Sequence, residues 1–332
     1  MSSPLHIIGG YGVTGRQFVR LLRHHHPDLP LVIAGRDLKK AEALATEVGA
    51  IGQVLDLSAS DAGLGAAASS GLVVLAKDSG LHALRWAQDR GVPYLSLSSA
   101  AFEIGVDLLH ALARAGAAPV VIAGHWFAGA VTMAVLDVCE KFDRVESVVV
   151  GVTIDRNAAA AGAASLADFE RVARSSCATL ARIAGNYVWQ QEADSFRSYQ
   201  GASGAMMEGK GSVSIDVPTI GARTNARDVH VLETWGDSAH FLENGIPADE
   251  VAIEVIGQID GQMAVARRTL ILPHAAASMT SVSLLVTIER MLGLEKGPAI
   301  GPGVWTIDQL QPPDVYMQRI QALGVQVRTS LV

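Results

Sequence analysis

This chain of 332 residues predicts an α/β fold: a parallel, doubly wound first half joined to a second α/β half with a mixed or antiparallel sheet. Three observations carry that expectation. Short apolar runs alternate with helical patterns through the first 125 residues, a rhythm that makes right-handed crossovers and a parallel sheet. Beyond that point the strands lengthen, alternate between two faces and have fewer helices between them. Glycine is in excess, 33 of 332 residues, and gathers at the ends of strands, where close backbone approach or a positive φ is needed.

The elements follow in order. Leu5–Gly9 reads as a strand, Val13–Arg23 as a helix, Leu31–Ala34 as a strand, Leu38–Val48 as a helix capped by Asp37, and Gln53–Leu57 as a strand. Strands at Leu72–Ala76, Pro93–Leu97 and Val120–Ala123 follow, with helices around Leu81–Arg90 and Val106–Ala115. Their near-continuous apolar character suits strands covered on both faces.

A helix at Ala128–Phe142 opens the second half, and strands are expected at Ser147–Ile154, Ser212–Val217, Val229–Glu233, Val251–Gln258 and Met263–Leu272. Between them lie a small-residue tract, Asn157–Ser165, and a capping box, Ser165–Asp168. That box leads into a helical face marked by Leu166, Phe169, Val172, Ala173, Cys177, Leu180 and Ile183. A helix near Ser278–Leu292, a glycine-rich turn at Gly297–Gly303, a helix near Asp314–Leu323 and a last strand close the chain. The divisions are thus 1–125, 126–275, and a segment, 276–332, returning to the first domain.

Composition removes several function classes. The 26 Lys+Arg against 33 Asp+Glu give a net charge of −7, and with no basic block the chain has no electrostatic footprint for nucleic acid. Cys139 and Cys177 fall among apolar neighbours, which suits reduced thiols in a cytoplasmic protein. Ala115–Leu136 has no charged residue, but Pro119, Gly124, His125 and Gly129 break it into strand, turn and helix, so no membrane span is expected. His24, His25 and His26 are consecutive and share no helix face, and with no HExxH or paired CxxC no metal is expected; there is also no GxSxG.

The informative motif is Gly10-Tyr11-Gly12-Val13-Thr14-Gly15, placed between the first strand and the first helix. Gly10 is expected to make the tight turn, Gly12 to admit a pyrophosphate, and Gly15 to let helix and strand pack. The helix N-terminus then offers amides and partial positive charge to phosphate. This is the dinucleotide-binding fingerprint of a Rossmann domain. NAD sites place a carboxylate at the end of the second strand. Here that strand ends Gly35-Arg36-Asp37, and Arg36, with Lys39 and Lys40 near, suits a 2′-phosphate. NADP(H) is therefore the preferred cofactor; if Asp37 holds the ribose, NAD(H) takes its place. Asp56, after the third strand, is an adenine contact or a turn-former, and Ala76 and Ser98 complete the expected cofactor set.

The loop GGYGVTGR, the IAGRD segment with its KKAEALA helix, the strand and turn around Gly124, and the late GPGVWTIDQL together resemble the saccharopine dehydrogenase-like oxidoreductases, in their shorter saccharopine reductase-type branch. The resemblance implies a Rossmann domain completed by the C-terminal segment, an inserted α/β domain over the nicotinamide, a homodimer, and hydride transfer at a C–N bond of a small substrate. Two turns depart from it. Ala76-Lys77-Asp78-Ser79-Gly80 stands where the family has an Asn and Gly-Pro-Tyr turn, and Ala128 replaces the proline of a Gly-x-x-Pro-Gly turn. No Tyr is followed four residues later by Lys, so the likeness does not extend to the short-chain dehydrogenases.

Ligands of open parallel sheets bind past the carboxyl ends of the strands, which singles out Lys77, Asp78, His82, Ser98, Ser99, His125 and Trp126. His125 is the first choice for handling the substrate proton, Lys77 the second, as acid or ribose ligand. Trp126 is a substrate wall or core. Arg223, with Arg227, Arg267 and Arg268, is a candidate clamp for a substrate carboxylate.

Overall fold

The computed structural model describes residues 3–97, 100–158, 167, 170–172, 174–175, 178–274, 277–295 and 297–331. Ser98, Ser99, Cys177 and most of the Asn157–Asp168 segment, with Leu166, Phe169 and Ala173, lie outside them. The α/β class is as expected, and the chain forms two compact units: 1–124, 161–171 and 281–311 in the first, 125–160, 172–280 and 312–332 in the second.

The first unit is built on a seven-stranded parallel sheet. Its elements are β1 (Leu5–Ile8), α1 (Val13–His25), β2 (Leu31–Gly35), α2 (Leu38–Val48), β3 (Ile51–Val54), β4 (Gly71–Val74), α3 (His82–Arg90), β5 (Tyr94–Ser96), α4 (Ile104–Leu112) and β6 (Pro119–Ile122). β15 (Gly303–Thr306) is added late and pairs with β6. The order, β15-β6-β5-β4-β1-β2-β3, reverses direction between β1 and β4, and such a reversal opens a crevice at the carboxyl ends of the strands. β1, β2, β4, β5 and β6 are buried throughout, which is why they read as unbroken apolar runs.

The second unit begins with a tight turn and α5 (Ala130–Cys139), then β7 (Arg144–Asp155), β8 (Ala178–Ile183), β9 (Asn186–Gln191), β10 (Phe196–Gln200) and β11 (Met206–Gly211). α6 (Asp216–Thr224), β12 (Asp228–Gly236), α7 (Ala239–Asn244), β13 (Ala248–Ile259) and β14 (Gln262–Pro273) complete its middle. α8 (Met279–Leu292) carries the chain back to the first unit, and α9 (Pro313–Ala322) and β16 (Gln326–Leu331) belong again to the second. The sheet is mixed: β12 and β7 are parallel, whereas β13, β14 and β16 add antiparallel neighbours.

Three expectations are corrected. The segment 276–332 does not return whole to the first domain: 281–311 does, while β16 pairs with β14 in the second sheet. The expected strand at Ser212–Val217 is instead the loop after β11 and the first turn of α6. Pro218 stands in that first turn, where a missing N–H costs nothing. The helical face drawn through Leu180 and Ile183 ends earlier, because Ala178–Ile183 is β8, paired with β9 and touching β12.

Candidate functional site

The glycine loop of the first unit is built by backbone contacts. Gly9 N–H donates to the Ala34 carbonyl at 2.8 Å, Gly12 N–H to Gly9 at 3.0 Å, and Arg16 N–H to Gly12 at 2.9 Å. A Cβ on Gly15 would stand 2.5 Å from the Gly9 oxygen and 2.6 Å from that of Gly10, so only glycine lets α1 begin this close to the loop. The tight turn itself belongs to Gly9, at φ 85°, not to Gly10. The fingerprint counts its first glycine at Gly10, one residue past the bend. Gly12 is the extended residue before Val13, so the amides of Val13, Thr14 and Gly15 form the helix's open first turn. These residues suit a pyrophosphate. Ala76 adjoins the loop, its amide 3.9 Å from a Cβ built on Gly9.

At the end of β2, Arg36 is exposed, and Asp37 caps α2 by accepting from Lys40 N–H at 3.2 Å. That bond holds the Asp37 carboxyl below its ordinary range. Asp56 accepts from the Ser58 amide at 2.9 Å, so its carboxylate shapes its own turn, and that bond, helped by the nearby Arg36 charge, lowers its pKa. Asp78 is buried and accepts from the amides of His82, Ala83 and Leu84, stitching the start of α3. Desolvation outweighs those three bonds and pushes its carboxyl up. His82 Nδ1 lies 3.1 Å from the Leu57 carbonyl.

Lys77 lies past β4 with its ammonium 3.0 Å from Asp107 and 3.9 Å from Glu103. Glu103 is also gripped by Arg171 at 2.6 Å. Asp107, Glu103 and Arg171 were not legible as site candidates, since they come from α4, from the residue just before it, and from a segment joined to the first unit only by the fold. With Asp78, Tyr94 and Ser96, Lys77 and Asp107 line a small cleft at the carboxyl ends of β4 and β5.

The second unit opens with His125 and Trp126. His125 is buried, and its Nε2 lies 3.0 Å from Thr219 Oγ1. The Thr219 hydroxyl donates its single proton to the Ile215 carbonyl at 2.8 Å. Nε2 is therefore the protonated nitrogen that donates to Thr219, and Nδ1 is the ring's acceptor in the neutral form. Trp126 is held at both ends: its backbone N–H donates to Asp216 at 2.8 Å and its indole N–H to Ser212 at 2.8 Å. Asp216, with no exposed surface, also accepts from Thr132 Oγ1 at 2.6 Å.

The next three residues, Phe127, Ala128 and Gly129, have φ of 50°, 52° and 108°. A proline is fixed near −65°, so the turn at Ala128 is a backbone that the replaced proline could not adopt. Two non-glycine residues in the left-handed region store strain, and Asp216 anchors both ends of it. Asp216, Ser212 and Thr219 escaped the sequence reading because that stretch reads as a strand.

Arg223 is exposed and lines a groove of about 580 Å³ with Arg144, Arg227, Glu140, Asp143 and Glu146, all of the second unit. Arg267 pairs with Glu254 at 2.8 Å. Arg268 is buried, bound to Asp137, to the Ala134 carbonyl and to Thr329, so it secures β14 to α5 and β16.

In fold the chain is similar to apo saccharopine dehydrogenase (L-glutamate-forming) from Saccharomyces cerevisiae, with a TM-score of 0.72 and 12% identity over 100% of both chains. It is also similar to an oxidoreductase from Agrobacterium radiobacter crystallised with NAD+, L-tartaric acid and magnesium, with a TM-score of 0.50 and 12% identity over 99% of this chain and 98% of that one. At such identity the likeness is one of fold. No protein-family model matches the chain, and no curated protein sequence does.

Proposed function

We propose that the protein is an NAD(P)-dependent oxidoreductase that prefers NADP(H) and moves hydride to or from a small substrate at a C–N bond, by imine reduction or its reverse. The observation that carries this reading is the glycine loop. Gly15 brings the start of α1 against Gly9 and Gly10 with no room for a Cβ, and a loop closed in this way offers its first-turn amides to a pyrophosphate. The bound dihydronicotinamide would supply the hydride.

The chain's own residues do the rest. Val13, Thr14 and Gly15 bind phosphate through their amides, and Arg36 meets the adenosine end. Asp107 and Glu103 fix the Lys77 ammonium as a donor or a ribose ligand. His125, oriented by Thr219 through Nε2, exchanges the substrate proton at Nδ1, and Trp126 is the substrate wall, its indole fixed by Ser212. A homodimer, implied by the resemblance, and a cytoplasmic location, expected from two cysteines that suit reduced thiols, belong to the same reading.

Calorimetric titration with NADPH and NADH tests the cofactor, with tighter NADPH binding expected; preference for NADH would overturn the Arg36 argument. Spectrophotometric NADPH oxidation against amine plus keto-acid pairs, cyclic imines and enones tests the reaction. Turnover on enones or simple carbonyls alone would replace C–N chemistry by C=C or C=O reduction. Tight binding with no turnover on any of them would make the protein a nucleotide sensor.

A further inference from the structure

The end of β2 carries a second donor besides Arg36. Tyr11 leaves the glycine loop and lays its ring against the backbone of Gly35: a Cβ there would stand 2.5 Å from the phenolic oxygen and 2.7 Å from Cζ. Any other residue at 35 would drive the ring away. The phenolic oxygen accepts a hydrogen bond from the Asp37 backbone N–H at 3.0 Å, and this bond fixes the hydroxyl's position.

A phenol that accepts still has its proton to give, and among the described residues no acceptor takes it. Arg36, the residue between Gly35 and Asp37, is exposed, and among the described residues its guanidinium makes no hydrogen bond. The neighbouring carboxylates are committed elsewhere: Asp37 is bound to the Lys40 amide at 3.2 Å and to the Lys40 ammonium at 3.4 Å, and Asp56 accepts from the Ser58 amide at 2.9 Å and meets Arg36 only as a nearby charge. The phenol therefore presents an oriented, unspent donor at the end of β2, where the exposed Arg36 stands between the two residues it touches and where Rossmann domains meet the adenosine ribose.

Resting on the dinucleotide reading above, we propose that the Tyr11 hydroxyl is a specificity-determining donor to the 2′-phosphate of the bound dinucleotide, with the Asp37 amide orienting it and Gly35 making room for it. A charged phosphate oxygen gains about twice as much from such a donor as a neutral ribose hydroxyl does. The effect therefore falls on the phosphorylated ligand. Tyr11 acts together with Arg36, which supplies charge, while Tyr11 supplies direction.

Calorimetry on the full chain and on Tyr11→Phe, with NADPH, NADH, 2′,5′-ADP and 5′-AMP as ligands, tests this. Tyr11→Phe is expected to weaken NADPH and 2′,5′-ADP by about tenfold and to leave NADH and 5′-AMP within about twofold. Gly35→Ala, whose methyl displaces the phenol while keeping its hydroxyl, is expected to give the same selective loss. Equal weakening of all four ligands, or none, in variants whose circular dichroism is unchanged would overturn the role of Tyr11. Failure of the unaltered chain to bind any of the four would instead overturn the dinucleotide reading itself.

Discussion

Glu233 shows how one side chain can carry a cost that burial imposes and function can exploit. It lies on β12 in register with Lys210 on β11 and Val152 on β7. It shares its face of the strand with Val229 and Val231, both buried. Desolvation there pushes its carboxyl up to about 7, against the opposing pull of Lys210. A carboxyl that titrates near neutrality is suited to proton exchange, and its titration also marks stability. The folded value lies above the ordinary 4.5, so the protonated form is the one folding favours. The stability Glu233 contributes is complete below about pH 4.5 and is lost as pH rises through about 7. Glu233→Gln keeps the shape without the charge. Urea unfolding at pH 8 should find the variant more stable by about 3 kcal/mol, with the gap closing by pH 4. A gap independent of pH would show that burial does not control this group.

At the scale of elements, what was legible follows from burial. β1, β2, β4, β5 and β6 are covered on both faces, and only unbroken apolar sequence survives there; Asp37 before Leu38 was a complete helix-start signal and caps α2 through Lys40. The glycine loop was legible for a related reason, since contact at the 2.5 Å scale forbids a side chain at 15. β9 and β10 were not legible, because Tyr187, Trp189 and Phe196 are exposed and the alternation of a half-buried strand is missing. α6 was misread because Ser212-Val213-Ser214-Ile215-Asp216-Val217 alternates like a strand, although Pro218 signals a helix start. That helix start is what secures the left-handed turn at Phe127 and Ala128. Asp216→Ala would strip the acceptor from the Trp126 amide and from the Thr132 hydroxyl, leaving two donors unmatched at a cost of about 3 kcal/mol. Thermal unfolding should show that loss, and the near-ultraviolet circular dichroism of Trp126 should weaken with it. Asp216→Asn, which retains an acceptor oxygen, should recover much of both; an unchanged Trp126 signal in Asp216→Ala would mean that the turn holds itself.

For the whole molecule, the sequence placed the change from parallel to mixed strands near residue 125 because pattern follows the covering of each sheet. It did not show how the chain ends, because β15, α9 and β16 are too short for their patterns to name a partner. The structure divides that ending. β15 completes the first sheet beside β6, and β16 pairs with β14 over six residue pairs from Ala266–Leu331 to Ile271–Gln326. α9 buries Tyr316, Met317 and Ile320 in the second unit. A chain ended after Gln311 therefore keeps every strand of the first sheet and still uncovers part of the second unit's core, with β14 left as a bare edge. Such a chain should aggregate, and what remains in solution should lose the cooperative thermal transition of the second unit. A gentler version, Tyr316→Ala, removes a fully buried ring at a cost of about 3–5 kcal/mol without exposing an edge, so it should stay monodisperse in light scattering while melting earlier. Aggregation of both would place the fault in the core alone, whereas aggregation of the shortened chain only would assign it to the unpaired β14 edge.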